Sequence, residues 1–287
     1  MIKVSYLVSY DYAMFHTSVK LIYDYVDKII IAIDKDYKTW SGNTFVIPDS
    51  FFEEVKKNDF KNKIEIYRDS FYNSNFSPME NETIERNKIL KKLGYGWKIQ
   101  LDVDEYIYDF KKVAKYLNKY WFLCLFPKIT PICFRGKWIT LYKELPDGYL
   151  YIDNGETFPF ITNQNKNNWA RFSGPKVRNI NPNISVIHQS WARADNEILQ
   201  KINNWGHRDD FDTEKYFNLW KSINSDNYIE FKNIHPLSPS IWNRLNFLAS
   251  NSITEFIDNY SATNTQQIKS IDKKYFITAI FNKLKIK

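Results

Sequence analysis

The stretch Lys28-Ile29-Ile30-Ile31-Ala32-Ile33-Asp34 constrains the fold more than any other part of the sequence. As a strand, a nearly continuous aliphatic run has no polar face to turn toward water. It must be covered on both sides, as a central strand of a parallel sheet packed between helices is. The neighbouring segments fit that role. Val4 to Ser9 reads as a first strand, and about Thr17 to Val26 places Val19, Ile22, Tyr23 and Val26 at helical spacing. Phe51 to Asn58 predicts a short helix, Lys63 to Tyr67 a third strand, Glu80 to Leu93 a helix closed by Gly94, and Trp97 to Leu101 a fourth strand. This alternation is the pattern of βαβ units. Phe110 to Asn118 resumes helical period. Beyond it, Trp121 to Phe126, Ile132 to Phe134, Trp138 to Leu141 and Val186-Ile187 predict short strands between Pro, Gly and Asn turns. From about Asp195 the chain reads as helical, through Asn196 to Asn204 and Thr213 to Ile223. The expectation is an α/β fold: a Rossmann-like domain over 1–205, with a mixed, mainly parallel sheet flanked by helices, and a C-terminal helical extension over 206–287.

Hydrophobic residues make up 44% of the 287 and charged residues 25%, with 8 Gly and 10 Pro, a globular composition that argues against global disorder. The net charge of +7 favours polyanionic partners without choosing among nucleic acid, anionic lipid and phosphorylated substrates. Lys dispersed among Asn, Ile and Tyr is also what an AT-rich genome produces. Cys124 and Cys133 lie in apolar stretches, match no metal spacing, and read as buried free thiols in a reducing compartment. Met1 to Val8 enters a strand pattern without the apolar stretch and cleavage site of a signal peptide. No run approaches the roughly 20 apolar residues of a membrane span. The expected location is the cytoplasm, or the inner face of a membrane.

The chemistry centres on Leu101-Asp102-Val103-Asp104-Glu105. In extended backbone the two Asp side chains project from one face about 7 Å apart, at a strand end where open α/β sheets bind ligands. Hard oxygen ligands of this kind suit Mn²⁺ or Mg²⁺, which keep positions open for water and phosphate oxygens. Taken alone, such a pair fits a solvated loop equally well. Its surroundings are more specific. From Ile84 to Tyr108 an Arg86-Asn87 helix, a Gly94-Tyr95-Gly96 turn, a strand and the acidic end follow in order. This arrangement resembles the family 2-like glycosyltransferases of the GT-A type.

The resemblance implies a GT-A fold and metal-dependent transfer from a nucleotide-diphosphate sugar, a UDP-sugar favoured, to a glycan or lipid-linked acceptor in bacterial surface polysaccharide or glycoconjugate synthesis. It implies Asp102 near ribose or metal, Asp104 on the metal and Arg86 near the donor. Ser9, Asp11 and Asp34 stand where such enzymes grip the nucleoside, although Asp34-Lys35-Asp36 replaces the common Asp-Asp-Gly-Ser. His188, directly after a short apolar strand, is implied as a third metal ligand. A His hydrogen-bonded in a helix N-terminal turn is the other reading. His207 and His235 read as structural, and His16 has no visible partner.

As a sugar leaves a nucleoside diphosphate, negative charge grows on the phosphates, and a divalent cation stabilises it. Lys176 or Arg178 would assist, unless they form a basic surface loop. Inverting transfer needs a carboxylate to take the acceptor's proton. Asp153 and, by a narrow margin second, Glu156 are the candidates, though an Asp-Asn-Gly sequence also suits plain turn residues. A retaining reaction needs no such base. With 9 Trp, 20 Tyr and 21 Phe there are flat side chains for sugar stacking as well as for core, Trp138, Trp169 and Trp191 among them. Lys273 to Lys287 reads as a docked helix with a solvated basic end, or as a peripheral contact with anionic lipid.

Two other classes share some of these features. A sugar nucleotidyltransferase would have a Gly-rich, basic loop after strand one, and Ser9 to Ser18 holds neither Gly nor Arg. A carbohydrate- or nucleic-acid-binding module fits the aromatics and charge but has no need of the Arg-Asn helix. No RNA-binding aromatic motif is present, so no specific nucleic-acid partner is expected.

Overall fold

The computed structural model describes residues 1–204 and 210–285. The aliphatic run forms β2 (Lys28–Asp34), which lies between β1 (Ile2–Leu7) and β3 (Ile64–Asp69) and parallel to both. Its side chains alternate between two cores. Ile29, Ile31 and Ile33 join Val4 and Tyr6 on one face, while Ile30 and Ala32 meet Leu7, Ile89 and Leu93 on the other. β4 (Trp97–Asp102) pairs with the free side of β1, again parallel. Helices cover both faces, as the hydrophobic run demands. α1 (Phe15–Ile22) and α2 (Asp49–Asn58) bury Phe15, Val19, Phe51 and Val55 in the first core, and α3 (Pro78–Leu93) buries Ile89 and Leu93 in the second.

α3 aims β4. It begins at a capping box in which Ser77 accepts from the Glu80 backbone N–H and Glu80 accepts in return, with Pro78 in the first turn. Such a cap contributes about 1 kcal/mol. It ends at Gly94 (φ +67°), and at Gly96 (φ +110°) an added Cβ would stand 2.9 Å from the Met1 carbonyl oxygen. Only glycine makes this turn without strain.

The sheet continues beyond β4 through antiparallel neighbours, β8 (Thr157–Thr162), β6 (Ile132–Leu145), β7 (Gly148–Ile152) and β10 (Asn246–Ala249). β9 (Arg178–His188) runs parallel to β6 and also pairs with the short β5 (Glu105–Tyr106). The remaining helices are α4 (Phe110–Lys119), α5 (Asp195–Asn204), α6 (Thr213–Ser222), α7 (Ile253–Thr263) and α8 (Lys273–Lys285). The molecule is α/β, a mixed sheet with a parallel body flanked by helices, as expected.

Several elements differ from the sequence reading. Trp121–Cys124 is a 3-10 turn and not a strand, because its buried Leu123 and Cys124 follow the buried Tyr120 just before it at helical rather than alternate spacing. The two strands expected at 132–134 and 138–141 are one 14-residue strand bent by bulges. The expected boundary at 205/206 lies outside the described residues. Beyond it, β10 supplies the edge strand beside β7, and Tyr216 and Trp220 of α6 pack with Trp191 and Leu150. The C-terminal part therefore shares the central sheet. Among the described residues no helix is long and apolar enough to cross a membrane.

Candidate active site

Strand order reverses between β1 and β4, and loops from two such strands diverge to leave a crevice at their carboxyl ends. A cavity of about 470 Å³ opens there. Asp102 closes β4, and Glu105 begins β5 directly opposite His188 of β9. That pairing, tightened by a Gln189 N–H to Asp104 carbonyl bond of 2.8 Å, brings His188 Nε2 within 3.5 Å of Asp104 Oδ2. The imidazole stacks on Trp138 with ring centroids 4.8 Å apart, and Trp138 in turn stacks on Phe158 at 4.3 Å.

Cations hold the carboxylates. Arg86 Nη2 donates to Asp102 Oδ1 at 2.9 Å while its Nε donates to Glu82 at 2.7 Å. Arg171 bridges two acids, with Nη2 at 2.6 Å from Asp102 Oδ2 and Nη1 at 2.9 and 3.0 Å from the Glu105 oxygens. Arg193 Nη2 donates to Asp104 Oδ2 at 2.5 Å and lies 3.5 Å from Asp11, while Lys201 Nζ of α5 is 3.7 Å from Asp104. Burial alone pushes the Asp104 carboxyl up, but His188, Lys201 and Arg193 outweigh it and hold it well below the usual range. Asp102 is likewise lowered against burial, by Arg171 and Arg86. Glu105 is raised because burial prevails over Arg171. Burial lowers Lys201.

The other expected site residues divide sharply. Ser9 and Asp11 line the cavity, with Ser9 Oγ donating to Asp11 at 3.1 Å. Asp34 also reaches the wall, yet its carboxylate accepts four backbone N–H groups, from Asp36, Lys38, Phe71 and Tyr72. It ties the loops after β2 and β3 together. Glu156 lines the cavity and accepts from Trp242 Nε1 at 3.1 Å. Asp153, three residues earlier, does not. It lies in a separate polar depression, paired with Lys137 at 2.5 Å and accepting from Tyr260 at 3.0 Å. The chain reverses between β7 and β8, so the two carboxylates part. Lys176 is exposed and absent from the cavity wall, and Arg178 packs its guanidinium on Phe276.

Trp138, Trp169 and Trp191 all reach the cavity, Trp169 half exposed and Trp191 buried. His235 accepts from the Leu237 and Ser238 backbone and meets Trp242 edge-on. His16 lies 3.2 Å from Glu54, and His207 falls outside the described residues. The sequence pattern assigns no role to Arg171, Arg193 or Lys201. Arg193 sits five residues past His188 and is within reach of that reasoning, whereas nothing in the period around Arg171 marks it.

Among the described residues no three or more His, Cys, Asp or Glu side chains converge as a metal site. Asp104 with His188 is the pair that suits Mn²⁺ or Mg²⁺, ions commonly bound by few protein ligands and completed by water and phosphate oxygens. Asp102 is placed differently, since both its oxygens accept guanidinium N–H groups.

Neither family models nor curated proteins match the chain. Among solved structures it is similar to a mannosyltransferase from Pyrobaculum calidifontis in complex with GDP-Man and Mn²⁺, at TM-score 0.42 and 10% identity over 71% of this chain and 61% of that one. A Helicobacter pylori mannose-6-phosphate isomerase gives TM-score 0.31 and 17% identity over 57% and 60%. Residues 1–349 of TarS from S. aureus give 0.30 and 15% over 51% and 40%. The chain thus spans less than two thirds of each, none reaches a TM-score of 0.5, and no assignment rests on them.

Proposed function

We propose that the chain is a GT-A type glycosyltransferase that moves a sugar from a nucleotide-diphosphate donor to a glycan or lipid-linked acceptor, in surface polysaccharide or glycoconjugate synthesis. The observation that carries this reading is the cavity at the strand-order reversal, where the Asp104–His188 pair, Arg86, Arg171 and Lys201 share the wall with Glu156 and tryptophans, and the buried Arg193 holds Asp104. Ser9 and Asp11 stand on the donor side, and Asp102 positions Arg86 and Arg171. A divalent cation at Asp104 and His188 would act as Lewis acid toward the leaving diphosphate. Lys201, on the cavity wall and near the same carboxylate, is the protein's own countercharge for the developing phosphate anion, and Arg193 holds Asp104 in place. Glu156 is the carboxylate placed to take the acceptor's proton, and the Trp138 and Trp169 rings offer flat surfaces for sugar.

Residues 1–205 are proposed to carry donor and metal, and the part from 206 to complete the acceptor wall through Trp242. α8 docks through Phe276 and Ile280 and leaves Ile277, Phe281, Lys273, Lys274 and Lys283 exposed. Such a face supports peripheral contact with anionic lipid.

The test is donor hydrolysis or transfer with and without Mn²⁺ or Mg²⁺. Turnover that requires the ion and disappears in Asp104→Ala supports the reading, and turnover indifferent to both overturns it.

A further inference from the structure

Glu85 on α3 is 5% exposed and lines the cavity, and nothing assigned above uses it. Its Oε2 accepts from Trp40 Nε1 at 2.6 Å, and no hydrogen bond reaches Oε1 among the described residues. Beside it, Arg86 Nη1 is buried without a partner. Leu7 and Trp40, which share one apolar cluster, form the wall here. A flat, weakly charged ring fits such a wall, and the cationic end with Arg171 and Lys201 suits phosphate.

We propose that Glu85 is a specificity-determining residue for the donor, acting with Arg86 Nη1 to give hydrogen bonds to a carbonyl oxygen of a uracil, cytosine or guanine base. The inference rests on the glycosyltransferase reading of the cavity. The indole N–H makes Oε2 an acceptor, so a neutral carboxyl turns Oε1–H toward the ligand as a donor. The groups facing it are Trp40 from the loop after β2, Asp34 at the end of β2, and Glu82 and Arg86 on its own helix. Burial, opposed by the Trp40 hydrogen bond and Arg86 and helped by Glu82 and Asp34, pushes its carboxyl up to about 8. Glu85 is therefore protonated at neutral pH. Adenine has only ring-nitrogen acceptors, each with one in-plane lone pair, whereas a carbonyl oxygen has two and accepts from both donors at once.

The sign of the pH dependence follows. Below pH about 8 the O–H is present. Above it a carboxylate faces the carbonyl oxygen, and affinity falls by as much as tenfold per pH unit. Gln at this position keeps both an acceptor for Trp40 and an N–H donor for the base, and it does not titrate.

Titration calorimetry with UDP, CDP, GDP and ADP in the presence of Mn²⁺, from pH 7 to 9.5, tests this on wild type, Glu85→Gln and Glu85→Ala, with thermal melts to verify folding. At least one carbonyl-bearing nucleotide should bind roughly tenfold more tightly than ADP to the wild type, with affinity falling above pH 8. Glu85→Gln should keep the affinity and lose that pH step, and Glu85→Ala should lose the preference over ADP. Equal affinity and pH profile in all three proteins, or a wild-type preference for ADP, would overturn the role of Glu85 while leaving the nucleotide site intact. Failure of every nucleotide to bind would overturn both.

Discussion

Asp153 and Glu156 are three residues apart in sequence and belong to different places in the molecule. Glu156 stands in the cavity beside Trp242, while Asp153 is closed off by Lys137 and Tyr260 in a shallow polar depression. The same turn that joins β7 to β8 sends one carboxylate toward the Asp102–Glu105 cluster and the other away. Around the cavity, acids are matched by Arg86, Arg171, Arg193 and Lys201, and Asp104 and Glu105 are buried. In the depression, a single lysine faces a partly exposed aspartate. Charge in the first place is gathered at the cavity proposed to bind the donor, and charge in the second ties the strand end to α7.

That contrast can be broken most decisively at Asp104. Asp104→Asn should lower turnover by two or more orders of magnitude, on the order of what loss of an electrostatic group at a reacting centre costs, as measured by nucleotide release. Next comes Glu156→Gln against Asp153→Asn. If Glu156 is the base, the first should lower kcat by about 10²-fold or more with KM little changed, and the second should leave kcat within about twofold. The reverse order would move the acceptor site to the depression. Arg171→Met sharpens the electrostatic side of the comparison. Glu105 is fully buried, so removing its guanidinium should destabilise the fold by about 3–5 kcal/mol in urea unfolding. Lys137→Met, at the partly exposed pair, should cost about 1 kcal/mol or less. The smallest effect is expected from Lys176→Ala, whose exposed side chain should leave turnover unchanged.

The parallel body was legible because its signals are local. An aliphatic strand, amphipathic helices and the Gly94 cap each state their own conformation, and the Arg86-Asn87 to Asp104 segment carries its order in sequence. The second half was read less well. β6 bends through bulges that break its two-residue period, so one strand resembles two, and β10 is too short to show alternation. The cation set failed for another reason. Which loop arginine folds over a strand end depends on pairing between segments 66 to 89 residues apart, as for Glu105 with Arg171 and Asp104 with Arg193. Asp34 shows the converse, since a carboxylate at a strand end looks ready for ligand until four backbone N–H groups are found on it.

The cavity between β1 and β4 is proposed to hold a nucleotide-diphosphate sugar with a divalent cation at Asp104 and His188. A thermal-shift panel of nucleotide-sugars with and without Mn²⁺, run on wild type and His188→Ala, tests it directly. The predicted result is stabilisation by at least one donor, about 2.7 kcal/mol at a hundredfold excess over Kd, that needs Mn²⁺ in the wild type and is lost in the variant. No stabilisation by any nucleotide-sugar, or the same stabilisation in both proteins without the ion, would contradict it.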